Sequence, residues 1–400
     1  MGAEVGLGKA PPRSPGRAWY GWSVSRPTRT RATPLPGRVV VGGYSLGPDG
    51  DGPEAGTGLR VLDLVRGPGT GGTDGPAYVA VGHAALASPT WAVPHPHRPW
   101  LVSVGETNPS EVVCTRLEPD GTLTVLGRAT TGGNGGCHLA LTADGRRAVV
   151  AHYGSGTVES FALDDDGRVS GPLDRFTSRA PLGPDPERQD GPHAHQVVLD
   201  PGRADELLVC DLGTDRVHRL RLAADGRLSE AAPALVLPPG FGPRHLVVAG
   251  DVLVVVGELA AELWVGLRDE DGWRPSQTVP TTRRRATGRD GSTVPAEPSA
   301  LRLAGDRVVV ATRGPDTVGV FALDRGRGTV EPLGEVSCGG RHPRDLVVAD
   351  GLVWVADQES DEVVVLDLEA AASGREVAPV LRFAAPRPAC LVLLADSDGT

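Results

Sequence analysis

One pattern recurs along this chain at intervals of 45 to 57 residues. It emerges when six segments are set under one another. They start at Ser88 (SPTWAVPHPHRPWLVSVGE), Gly135 (GGCHLALTADGRRAVVAHY), Pro192 (PHAHQVVLDPGRADELLVCD), Gly242 (GPRHLVVAGDVLVVVGEL), Glu297 (EPSALRLAGDRVVVATRG) and His342 (HPRDLVVADGLVWVADQ). Each opens with a short apolar run, turns at a sequence such as ADG or PGR, and runs apolar again. A polar break, a third run ending in a pattern like FALD, a DG turn and a weaker fourth run follow. The shared position at the head falls on Trp91, His138, His195, His245, Ala300, Asp345 and Cys390. Four strands at this period predict the blade of a β-propeller. An open β-solenoid is the lesser alternative, because its turns are shorter.

The two ends set the number of blades. GRVVVGGYS, from Gly37, matches the second strand of a unit with no first strand before it. RPACLVLLADS, from Arg387, matches a first strand with nothing after it. Paired in one sheet, 39–44 beside 391–395, they complete a seventh blade and leave no raw sheet edge. The expected fold class is therefore all-β, a seven-bladed β-propeller over 39–396.

Composition narrows the function. Apolar residues make up 40% of the 400, enough for a large core, and Gly 55 with Pro 36 falls between the apolar runs, as turn residues do. The formal charge of −10 is uneven. Residues 1–38 carry seven basic residues against Glu4, so the remainder is strongly acidic. An acidic body does not suit a nucleic-acid partner. The 1–38 stretch has no apolar core of a signal peptide and reads as a disordered basic tail. No apolar run reaches the length of a membrane span. The cysteines, Cys114, Cys137, Cys210, Cys338 and Cys390, are odd in number and form no CxxC. They read as buried free thiols of a reducing compartment, which points to the cytoplasm.

In a blade the first strand lies nearest the axis and the second runs antiparallel to it. The start of the first and the end of the second therefore share one rim, and seven such rims converge on one mouth of the central channel. First-strand starts carry His138, His193 with His195, Arg244 with His245, and Arg344 with Asp345. Second-strand ends carry Glu106, His152 with Tyr153, Asp211, Glu258, Arg313 and Asp357. Alternation predicts that His193 and His195 face the same way. Asp215 and Asp361, taken singly, read as turn residues. The set is richer than turns require. His193, His195 and Asp211 offer a metal site as a rival reading, which the nearby arginines disfavour.

The motifs PHAHQ, DLGTD, GPRH, GEL, ATRG and PRDL, in that order and at blade spacing, resemble the seven-bladed propeller lactonases over about 39–395. That family includes propeller-type 6-phosphogluconolactonases and fungal carboxymuconate lactonising enzymes. The resemblance implies catalytic residues at His195, Arg244, Glu258 and Arg344, with His138, His193, His245, Asp211, Arg313 and Asp345 as substrate-binding candidates around them. It implies hydrolysis of a small anionic lactone such as 6-phosphogluconolactone, with no metal and no cofactor. Glu258 or His195 would deprotonate water, and Arg244 and Arg344 would hold the anion. No GxSxG nucleophile motif occurs, so direct water attack is expected. The family commonly has Asn where this chain has Gly257 and Thr312. A non-catalytic scaffold propeller and a metal-dependent sugar lactonase are the alternatives.

Overall fold

The second strand of each repeat is apolar almost throughout, as a strand buried on both faces must be. Trp100–Gly105, Glu206–Asp211, Val252–Gly257 and Leu352–Asp357 are buried at every position. Their side chains alternate between two neighbouring sheets. Val353 and Val355 pack with Val309 and Ala311 on one side, while Leu352, Trp354 and Ala356 pack with Val39, Val41 and Tyr78 on the other. Seven such apolar clusters lie between successive sheets among the described residues.

The computed structural model describes residues 35–45, 58–65, 76–203, 205–270, 272–288, 291–376 and 378–394. All of them belong to the unit 31–400. Most of the tail read at 1–38 lies outside the described residues, and the propeller begins with the strand Arg38–Gly43.

Seven four-stranded antiparallel sheets form the blades. Blades 2 to 7 span 89–130, 136–177, 194–236, 243–280, 297–337 and 343–384. Blade 1 is the composite one. Its strands Arg38–Gly43, Leu59–Val65 and Ala77–Ala84 are completed by Pro388–Leu394, with Val41 opposite Leu391 and Val39 opposite Leu393. The seven innermost strands contact one another in order round the ring, Pro388–Leu394 touching both Pro343–Ala349 and Pro89–Pro94. A Cβ on Gly42 would lie 2.2 Å from the carbonyl oxygen of Pro89, so glycine is needed where the closing blade meets the next.

A repeated backbone clasp puts strand starts and strand ends on one rim. The N–H after the second strand donates to the carbonyl at the head of the first. Examples are Glu106 to Ser88 (2.9 Å), Tyr153 to Gly135 (2.8 Å), Leu212 to His193 (2.9 Å), Glu258 to Gly242 (2.8 Å) and Tyr44 to Arg387 (3.1 Å). A second clasp joins successive blades. Asp215, Asp316 and Asp361 adopt left-handed backbone (φ 51°, 52° and 53°) just before the third strand. Their carboxylates accept N–H groups of the linker into the next blade: Gly240 and Gly242, His342, and Arg387 respectively. Asp215 and Asp361 are thus the turn residues expected from sequence.

Asp215→Ala would leave those linker N–H groups without their acceptor and place alanine in a left-handed conformation. It should lower the unfolding free energy by about 3 kcal/mol, read as a shift of the urea midpoint.

Candidate active site

A β-bulge at the head of each innermost strand builds the site. In blade 4, Ala194 faces Asp211 and Gln196 faces Cys210, so His195 is left out of the ladder. The same slip leaves out Thr90, Cys137, Arg244, Arg344 and Ala389 in blades 2, 3, 5, 7 and 1, and Ser299 with Ala300 in blade 6. A bulge re-aims the side chain it frees. Six of these residues, Thr90, Cys137, His195, Arg244, Arg344 and Ala389, line one recess together with Trp91, Glu106 and His245. The repeat therefore aligns His195 with Cys137 and Arg244, not with His138 and His245. Gln196 holds the place opposite the second strand that His138 and His245 hold in their blades, and His195 stands one residue earlier, on the bulge.

The residue following each second strand supplies a second ring at this rim: Tyr44, Glu106, Tyr153, Leu212, Glu258 and Gln358, with Arg313 in the matching place of blade 6. Its strand neighbours point the other way. His152 Nδ1 lies 3.3 Å from the Thr157 carbonyl oxygen inside its own sheet. Asp211 meets His218 Nε2 at 3.0 Å and accepts from the N–H groups of His193 and Gly213. The structure therefore does not bring Asp211 to the recess or beside His195 as a metal ligand. Among the described residues no group of three or more His, Cys, Asp or Glu is arranged to hold a metal ion.

Glu258 is 2% exposed and surrounded by guanidinium groups. Oε1 meets Arg188 at 2.5 Å and Arg313 at 3.1 Å, and Oε2 meets Arg244. Burial pushes its carboxyl upward, but Arg244, Arg313 and Arg188 outweigh this and hold it well below the usual range. Both oxygens are committed, and this carboxylate is a poor proton acceptor. Glu258 does not lie open at the mouth, because Arg188 covers it. That residue was not picked out from sequence. It sits in the irregular loop before blade 4, where the Asp185 carboxylate caps its N–H and Gln189 is pinned to Asp215. Its other nitrogen reaches Glu297 at 3.0 Å.

Arg244 Nη1 donates to His195 Nε2 at 2.7 Å, and Nε donates to the Ser299 carbonyl at 2.7 Å. The ring proton of His195 is thereby assigned to Nδ1, 3.8 Å from Cys137 Sγ. Burial, then Arg244 and Arg344, hold this imidazole well below its ordinary value against the pull of Glu258, so it is neutral. Burial also pushes the Cys137 thiol up to about 12, which makes it no nucleophile. Across the mouth, Arg344 Nη2 donates to Tyr44 Oη, which donates to Glu106 Oε2 at 2.8 Å. Nη2 of Arg244, and Nε and Nη1 of Arg344, have no partner among the described residues.

The remaining candidates sit around this recess. Trp91 and His245, one residue beyond their bulges, line the recess, while His138, in the same place of its strand, packs behind on Trp91 with ring centroids 4.0 Å apart; those of His195 and His245 are 5.8 Å apart. Asp345 is turned into the wall, accepting from the N–H of Leu391 and pairing with Arg302 at 2.5 Å. His193 precedes its strand and stacks on Tyr153 at 4.5 Å; His195 meets the edge of the same ring at 5.4 Å, and of the two only His195 lines the recess. Gly257 is required because a Cβ there would lie 2.5 Å from the Phe241 carbonyl oxygen. Thr312 is fully buried.

Glu258→Ala takes from the buried Arg244 its one carboxylate partner and from Arg188 and Arg313 one of two, and should cost about 3–5 kcal/mol of stability, measured by urea denaturation. His138, His195 and His245 are all held well below 6.5, chiefly by burial. A depressed folded value means the unfolded chain takes up protons first, so stability is full above about pH 6.5 and falls as pH drops below it. Melting temperature should therefore rise between about pH 5 and 7, with a shallower slope in His138→Gln.

The family profile described as lactonase, 7-bladed beta-propeller, matches residues 52–393. The 6-phosphogluconolactonase of Bacillus subtilis (strain 168) is 27% identical over 323 residues, covering 78% of this chain and 88% of that protein. The solved periplasmic gluconolactonase of Pseudomonas aeruginosa superposes with a TM-score of 0.75 at 25% identity, over 90% of this chain and 99% of that one. A Lactobacillus plantarum protein superposes with a TM-score of 0.75 at 24% identity, over 90% and 100% of the two chains, and shows the fold alone. With the profile matching most of the chain and reaching into every blade, the chain belongs to the lactonase family of seven-bladed β-propellers.

Proposed function

We propose that this protein hydrolyses the lactone of a sugar acid that carries an anionic group, 6-phosphogluconolactone or a close analogue, by direct attack of water in the recess. The observation that carries this reading is the pair Arg244 and Arg344, both lining one recess and both with N–H groups left uncommitted. Planar guanidinium forks suit phosphate or carboxylate, and a held donor suits the oxyanion that develops when a lactone carbonyl is attacked. Glu258 serves this chemistry as an anchor, fixing Arg244 through Nη1 and leaving Nη2 uncommitted. The neutral His195 accepts from the same guanidinium and holds it from the other side. The names of the Bacillus and Pseudomonas relatives support a lactone substrate.

The test is the release of acid from freshly made 6-phosphogluconolactone and from unphosphorylated gluconolactone, each corrected for spontaneous opening. Acceleration of neither would remove the proposal. Arg344→Ala should raise KM by about 10–100-fold and leave kcat within a few-fold, because it deletes a charge-assisted contact made equally before and during reaction. A fall in kcat alone would assign Arg344 to the reacting centre instead.

A further inference from the structure

Hydrolysis by water needs a group that takes the water's proton, with a lone pair that is both uncommitted and open to the recess. Glu258 offers neither, since three guanidinium groups occupy its oxygens. His195 has its acceptor nitrogen turned onto Arg244. Glu106 is the one carboxylate among the residues that line the recess. Its side chain is 23% exposed. Oε2 is held by the Tyr44 hydroxyl at 2.8 Å, while Oε1 stands 3.6 Å from Arg344 Nη2, beyond hydrogen-bond range. The chain of donors runs one way, Arg344 to Tyr44 to Glu106, and fixes the carboxylate while leaving Oε1 without a hydrogen bond, in ion-pair range of Arg344. Burial holds the Tyr44 phenol protonated, so it serves as that donor at neutral pH.

The three residues come from consecutive blades, 7, 1 and 2, whereas Arg244 comes from blade 5. In a ring of seven, blades 2 and 5 are as far apart as two blades can be. A lactone seated between them has Arg244 on one side and Glu106 on the other.

We propose that Glu106 is the general base of this enzyme, with Tyr44 its positioning residue. The proposal rests on the lactone-hydrolase reading. A water molecule attacks the lactone carbonyl carbon as Oε1 takes its proton. The carbonyl π electrons move to oxygen, and Arg244 Nη2 receives the oxyanion. Collapse restores the carbonyl and breaks the bond to the ring oxygen, which takes the proton back from Glu106. The product is the open hydroxy acid, which then ionises.

Four proteins test this with the lactone that the parent opens fastest. Glu106→Gln keeps the shape and should lower kcat by about 10²–10⁴ while KM moves less than about 3-fold. Glu106→Ala should regain activity when sodium formate supplies a small carboxylate, and the parent should not respond. Tyr44→Phe frees the carboxylate and should lower kcat by about 10-fold, which also reports if Glu106→Gln fails to fold. If Glu106 merely balances the charge of Arg344, its loss alters KM alone and formate restores nothing; that result overturns the proposal. An active parent whose Glu106→Gln and Tyr44→Phe forms keep full turnover overturns the base and leaves the lactonase reading standing. A parent that opens no lactone overturns both.

Discussion

Seven sheets stacked face to face round an axis leave two raw edges unless the last meets the first, and here a strand from each end of the chain makes that meeting. Arg38–Gly43 lies antiparallel to Pro388–Leu394 over six paired positions. Leu391 and Val392 are buried by it, each worth roughly 1.5–3 kcal/mol. The site inherits the closure. Tyr44 immediately follows the N-terminal strand of the join, and its contact to Arg344 spans 300 positions of sequence. Ala389, which lines the recess, is the bulged residue of the same pairing. The join that completes the sheet also assembles one side of the mouth.

Much of the fold was legible because propeller blades impose a pattern that few other structures share. Second strands such as Leu352–Asp357 must be apolar on both faces, and the turns between them must accept glycine. The split unit at the two ends was enough to count the blades. The site was legible only as a neighbourhood. A strand pattern says which residues lie near the rim, but a bulge changes which of two adjacent side chains faces the axis. By sequence alone His195 aligns with His138, while in the ladder it is the counterpart of Cys137. Asp211 and Glu258 both stand at the ends of second strands, yet one residue of offset turns the first into its own sheet. Arg188 left no periodic signal at all, because it belongs to an irregular loop fixed by Asp185 and Gln189.

The electrostatics of the mouth run against those of the whole molecule. The chain carries a net −10. Around Glu258, however, Arg188, Arg244 and Arg313 converge on one carboxylate, with Glu297 taking a share of Arg188 and Arg313. Burying this many charges is tolerable only because each is matched. The three imidazoles nearby are kept neutral chiefly by burial, and the arginines Arg244 and Arg302 add to it. An anion arriving here meets donors held in place beforehand, while the acidic exterior offers it little competition.

The bulges carry a consequence for how such a protein changes over time. A side chain outside the hydrogen-bonded ladder can be exchanged without shifting the strand register, and six of the seven blades present one such position to the same volume. Thr90, Cys137 and Ala389 are therefore separable settings of one dial, adjustable a blade at a time while the clasps stay untouched. A family built this way can drift among substrates by single exchanges, and a library restricted to these positions would explore recognition without sampling misfolded chains.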